Sequence, residues 1–109
     1  MKIHLDDQHF DVDAPDRNPG FGWELVSTVE EAKILLILNK GNVTHLSVDN
    51  DLGENTPEGY TLIEWLCEEW FLNQVDYWPK NIVIHSQNAV RRECMLAYIA
   101  NPRMNPNCR

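Results

Sequence analysis

The stretch Leu46-Ser47-Val48-Asp49-Asn50-Asp51-Leu52-Gly53 decides how the chain reads. Val43, Thr44, Leu46 and Val48 make a short, largely apolar run of strand length that is rich in β-branched residues. The run stops at Asp49, which places that carboxylate at the carboxyl end of a buried strand. In open α/β sheets ligands bind along that edge. A second acidic pair, Asp6-Asp7, ends the first apolar run, Met1 to Leu5. Carboxylates at two strand ends make a metal or phosphate site the leading expectation.

Working outward, Lys2 to Leu5 reads as a strand, and Gln8 to Gly22, rich in Asp, Asn, Pro and Gly, as a long loop. Loops of that length in small domains are often functional, so it either folds over the acidic pair or is a plain surface excursion. Trp23 to Val26 is a second short strand. Ser27 to Glu30 and Thr28 to Glu31 both fit a capping box, which predicts a helix from about Val29 to Asn39. Its inward residues are Ala32, Leu35, Leu36 and Val29, and Gly41 stops it in a left-handed conformation. Val43 to Asp49 is the next strand.

Thr56-Pro57 looks like an N-cap with proline at N1, opening a helix from about Glu58 to Val75. Leu62, Leu66 and Trp70, with Ile63 and Cys67, form its apolar stripe, and Glu64, Glu68 and Glu69 face water. Its Trp and Phe residues read as packing and not as a ligand cage. Asn81 to His85 is a strand, with Ser86 at its end. Asn88 can cap a last helix whose apolar positions are Val90, Cys94, Ala97 and Tyr98. Strands alternating with helices predict an α/β fold: a compact three-layer, doubly wound parallel sheet of about four strands, with the acidic strands central. The domain spans 1–102, and 103–109 is a loose tail.

The 109 residues suit one domain with a core large enough to fold without disulfides or metals. A formal net charge of -8 argues against general binding to DNA or RNA backbone, though not against a small phosphate neutralised by a cation or a local arginine. Three cysteines, Cys67, Cys94 and Cys108, form no CxxC pair, so neither a disulfide framework nor a zinc site is expected. No leader-like segment and no apolar run of membrane length is visible, and a reducing cytoplasm is the natural compartment.

Three predicted strand ends converge on one edge: Asp6-Asp7, Asp49 with Asp51, and His85-Ser86. Carboxylates packed together need a proton or a cation between them. Hard oxygen ligands in an open site favour Mg²⁺, which would be held by Asp6, Asp7, Asp49 and Asp51. The plain alternative is that these acids cap turns and helices. Ser86 before a helix N-terminus suits a phosphate seat that Arg92, one turn in, could reach, against the plain reading of Arg92 as an exposed arginine; Arg91 reads as solvated. A free imidazole titrates near neutrality, which suits His85 to a general acid or base role, against the plain reading of a packed strand residue. His45-Leu46-Ser47 lacks the second H-x-S/T pair of a two-histidine phosphoesterase. His4 and His9 have no ligand spacing and read as structural.

The order Asp6-Asp7, Asp49, Ser86, each at a strand end, resembles the receiver domains of response regulators. There the acids hold Mg²⁺ and the central aspartate accepts a phosphoryl group. The receiver's first helix is replaced here by the Gln8 to Gly22 loop. No fifth strand with its lysine follows the last helix, and Lys80 precedes the fourth strand. The expected fold is therefore a truncated receiver-like (flavodoxin-like) domain. The chain is more similar to the receiver-like family predicted to process cyclic phosphates. The resemblance rests on Leu5-Asp6-Asp7, Gly22-Trp23, Glu31-Ala32, Leu46 to Gly53, Gly59-Tyr60, and His85-Ser86-Gln87-Asn88 with Arg92. Ala89 and Arg91 stand where that family often has proline and glycine.

What the resemblance implies is a ligand class linked to RNA-end repair and conflict systems: a cyclic phosphate on a small nucleotide or on an RNA end. As an enzyme, the domain would open the ring with Mg²⁺ on the acids, Ser86, Asn88 and Arg92 gripping phosphate, and His85 protonating the leaving oxygen. As a sensor it would bind the same ligand without turnover. As a receiver-derived interaction module it would act through protein partners, a homodimer among them. Phosphoryl transfer to Asp49 ranks behind these three.

Overall fold

Each of the four short apolar runs becomes a strand in a computed structural model of the chain, which describes residues 1–7, 22–52, 58–85 and 89–100. β1 spans Lys2–Leu5, β2 Trp23–Val26, β3 His45–Val48 and β4 Asn81–Ile84. Helix α1 (Val29–Leu38) joins β2 to β3, α2 (Gly59–Asn73) joins β3 to β4, and α3 (Ala89–Ala100) follows β4. All pairings are parallel and the order is β2-β1-β3-β4, so the two strands that end in aspartate are the central pair. This is the expected α/β class with flavodoxin-like strand order.

Going from β2 to β3 and from β3 to β4 moves the chain the same way across the sheet, so right-handed crossovers put α1 and α2 on one face. α1 packs on β1 and β2, and α3 lies against α2 and β4. Strand alternation turns Ile3, Leu5, Leu46, Val48, Ile82 and Ile84 toward the helices. There they join Val29, Ala32 and Leu36 of α1, Leu62, Ile63 and Leu66 of α2, and Met95 of α3 in one core. Each fully buried aliphatic chain contributes about 1.5–3 kcal/mol, which makes this cluster the main tie between sheet and helices. The alternate positions, Lys2, His4, Trp23, Leu25, His45, Ser47 and Val83, belong to the other face. Val83 is 56% exposed there, while Ile82 and Ile84 on either side pack on the core.

Helix ends follow local chemistry. Thr28 is the N-cap of α1: its Oγ1 accepts from the Glu31 amide at 3.2 Å and donates to Glu31 Oε1 at 3.0 Å. Of the two candidates the sequence offers, Thr28 with Glu31 is the one used, with Glu31 accepting from the Thr28 hydroxyl in place of its backbone amide. Asn39 closes the helix, donating from Nδ2 to the Leu35 carbonyl at 2.9 Å, and Gly41 follows with φ +82°. The inward residues of α1 are those expected, with Leu35 packed at the core's margin.

Helix α2 starts at Gly59 with Glu58 as N-cap, and Thr56-Pro57 lies outside the described residues. Its first amides are satisfied from the loop after β3: the Asn50 carbonyl accepts from Gly59 N at 2.9 Å, and Asn50 Oδ1 from Tyr60 N at 3.0 Å. The expected stripe is buried except Trp70, which is half-buried, as are Glu64, Glu68 and Glu69. Trp65 stacks on Tyr77 at 5.2 Å under Lys33, in keeping with a packing role, whereas Phe71 stays exposed. Gln74 ends the helix in the left-handed region, φ 57°.

Helix α3 departs from expectation. Val90 is 72% exposed and Ala97 is exposed, while Met95 is fully buried and Cys94 and Ile99 pack against the core. The apolar pattern fits two neighbouring faces of this helix. Packing on α2 selects the one that seats Met95 and lays Arg91 over Tyr60. The expected Gln8 to Gly22 loop (except Gly22) and the 103–109 tail lie outside the described residues. No described helix is long and apolar enough to cross a membrane, and Cys67 is buried while Cys94 is half-buried.

Gly59 is the tightest point of the fold: a Cβ there would collide with the Asp49 carbonyl and press on Val48. Backbone cannot yield as a flexible side chain can. Gly59→Ala is therefore expected to cost at least about 2 kcal/mol, seen as a lower urea midpoint. A variant within about 0.5 kcal/mol of wild type would show that α2 and the end of β3 do not meet this closely.

Candidate metal centre at the carboxyl edge of the sheet

Sheet register decides which side chains meet at this edge. Leu5 pairs with Val26 on one side and Val48 on the other, and Val48 pairs with Ile84. The next residue of three strands extends the ladder by one bond. The amides of Asp6, Asp49 and His85 donate to the carbonyls of Val26, Leu5 and Val48 at 3.1, 2.9 and 3.0 Å. Three chemically active residues thus stand in one row on anchored backbone.

Asp6 is fully buried and Asp49 is 3% exposed, while Asp7 is exposed. One oxygen from each of Asp6, Asp7 and Asp49 lies within 4.8 Å of the others. Carboxylates crowded and buried in this way repel unless a proton or a cation lies between them. The donor set fits Mg²⁺: all ligands are hard oxygens, and octahedral ligands at about 2.0–2.1 Å stand about 3–4 Å apart. Asp51 is exposed and is not a member of this group. Asn50 is buried between the two acids and is spent on capping α2.

His85 reaches the same point from β4. Its Nε2 lies 3.2 Å from Asp6 Oδ2 and its Nδ1 2.8 Å from Ser47 Oγ. An ionised carboxylate only accepts, so that contact calls for a proton on Nε2, and the Ser47 hydroxyl serves Nδ1 as donor or acceptor. His4, expected to be structural and without useful spacing, is in fact part of this cluster. Its ring stacks on His85 at 4.9 Å and 9°, and its Nε2 is 3.8 Å from Asp6 Oδ2. Ser47 belongs here too, although it is not half of a two-histidine H-x-S pair. Strand alternation carried the signal for both: His4 with Asp6, and Ser47 with Asp49, are i and i+2 on neighbouring strands.

Of the expected phosphate contacts, Ser86 and Asn88 lie outside the described residues, as does His9. Arg92 is exposed on α3. Arg91, expected to be solvated, is half-buried instead. Its Nε is 3.3 Å from Glu58 Oε2 and its guanidinium lies 4.6 Å above the Tyr60 ring. Glu58 Oε2 also accepts from Asn50 Nδ2 at 3.1 Å, so α3 is tied through Arg91 and Glu58 to Asn50, the residue after Asp49. The planar guanidinium suits both contacts at once.

A four-stranded parallel sheet in the order β2-β1-β3-β4, with acids ending its two central strands, defines the receiver-like class of α/β domains. Within that class, the family model for the cyclic-phosphate processing receiver domain matches residues 1–101, and the chain belongs to that family. No curated protein and no solved structure matches the chain.

The His85 contacts carry a stability prediction for protein free of divalent ions. His85→Phe leaves the fully buried Asp6 carboxylate without that donor and is expected to cost about 1–3 kcal/mol. Ser47→Ala, which removes a neutral partner from a ring still 22% exposed, should cost about 1 kcal/mol or less. Urea unfolding at neutral pH checks both; a His85→Phe protein as stable as wild type would contradict the pairing.

Proposed function

We propose that this domain binds a cyclic phosphate in a Mg²⁺-dependent manner and opens its ring by hydrolysis, a 2′,3′-cyclic nucleotide or RNA end being the substrate. The observation that carries the proposal is the set of three carboxylates within 4.8 Å of one another at the ends of the two central strands, in a cyclic-phosphate processing receiver domain. Asp6, Asp7 and Asp49 hold the cation, and exposed Asp51 is left to position water. When bound, Mg²⁺ supplies Lewis-acid polarisation of a phosphoryl oxygen. Ser86, Asn88 and Arg92 grip the phosphate.

Water adds to phosphorus and sheds a proton to solvent, one bond between phosphorus and a ribose oxygen breaks, and His85 gives the departing oxygen a proton that it regains from solvent, leaving a phosphomonoester. A non-catalytic sensor would use the same residues. The engagement of both His85 nitrogens by Ser47 and Asp6 favours it as the second reading, because it holds the proton carrier in place.

Phosphorus NMR of 2′,3′-cyclic nucleotides separates the two. Turnover is expected with Mg²⁺, and Asp49→Ala should lower it at least about 100-fold, equivalent to about 2.7 kcal/mol of barrier. The position of the product phosphate shows which bond is cut. Ligand shifts without product would replace the enzyme by the sensor, and neither signal would sink both readings for these substrates.

A further inference from the structure

We propose that His4, Asp6 and His85 form a second cation position on the face of the sheet away from the helices, one that takes a nitrogen-preferring divalent ion of the Zn²⁺ type. It deepens the reading above, because it shares Asp6 with the Asp6, Asp7 and Asp49 position. One oxygen of Asp6 and one nitrogen from each histidine lie within 4.8 Å of one another. The two measured separations from Asp6 Oδ2 are 3.2 Å to His85 Nε2 and 3.8 Å to His4 Nε2. Tetrahedral Zn²⁺ ligands at about 2.0–2.1 Å stand about 3.3 Å apart, so the two separations bracket that spacing. The longer one is beyond hydrogen-bond length for those two atoms and within reach of a shared ion.

Orientation supplies an independent argument. Histidine ligands are typically held through their second nitrogen, and Ser47 Oγ sits 2.8 Å from His85 Nδ1. A hydroxyl accepts as readily as it donates, so the tautomer that frees Nε2 keeps that bond. His4 is held by stacking on His85 at 4.9 Å and by the edge of Trp23 at 6.1 Å. Two imidazoles and one carboxylate suit Zn²⁺ better than Mg²⁺, whereas three carboxylates suit Mg²⁺ better. A carboxylate has two oxygens, and a shared one is how paired metals are set about 3.5–4 Å apart in phosphoester chemistry. Filling this position takes the Nε2 lone pair of His85, so ring opening that uses His85 as acid is expected to stop in the Zn²⁺-loaded form.

The test uses the full chain in saturating Mg²⁺. Titrated Co²⁺, a coloured stand-in for Zn²⁺, is expected to bind once per chain, and His4→Phe should weaken it about 100-fold. Because His4 is buried, that variant is checked for folding by circular dichroism. A second measurement on wild type needs no substitution: imidazole ¹⁵N shifts on adding Zn²⁺. The Nε2 signals of His4 and His85 are expected to move, and those of His45 to stay. Unchanged Co²⁺ affinity in folded His4→Phe, or Nε2 signals that ignore Zn²⁺, overturns the proposal. Mg²⁺-dependent binding of a cyclic nucleotide alongside that null result leaves the proposed function standing. Zn²⁺ shifts without any cyclic-nucleotide binding would do the reverse.

Discussion

The in-register pairing of β1 with β3 is the constraint on which the rest of the structure depends. Leu5 opposite Val48 puts both on the helix side, and the following residues, Asp6 and Asp49, then stand side by side at the edge. A slip of one residue would send the apolar set to the wrong face and separate the carboxylates, so the core and the acidic group enforce the same register. The energy comes from burial of Ile3, Leu5, Leu46 and Val48. That burial is what allows the edge to hold carboxylates whose mutual repulsion opposes the fold.

Helix α2 is the second fixed element. Its start is locked to the site by Asn50, which uses its carbonyl and its side chain to cap Gly59 and Tyr60 and its amide nitrogen to hold Glu58. Arg91 of α3 closes the chain on Glu58 and Tyr60. The residue between the two loop aspartates is therefore a structural clamp. Movement of α2 or α3 would reach Asp49 through it.

Strand positions, the parallel sheet, the central place of the acidic strands and the Thr28 cap were legible because each rests on local pattern: short apolar runs, strand alternation with helices, and a hydroxyl three residues before glutamate. The face of α3 was not, since its apolar residues fit two stripes and only packing on α2 chooses Met95 over Val90. Asn50 as a cap was invisible, because the helix it caps starts nine residues later in the chain. His4 and Ser47 were missed for a different reason. Spacing within one segment carries no sign of them, whereas period-two alternation across paired strands places them beside Asp6 and Asp49.

The function of this edge turns on whether Asp6, Asp7 and Asp49 hold a single Mg²⁺. Backbone amide spectra of ¹⁵N-labelled protein titrated with Mg²⁺ test that most directly. The amides of Asp6, Asp7 and Asp49 are predicted to shift together along one saturable curve, while those of exposed acids on α1, Glu30 and Glu31, stay in place. Weak, unsaturable shifts spread over all the acids, or none at the edge of the sheet, would contradict it.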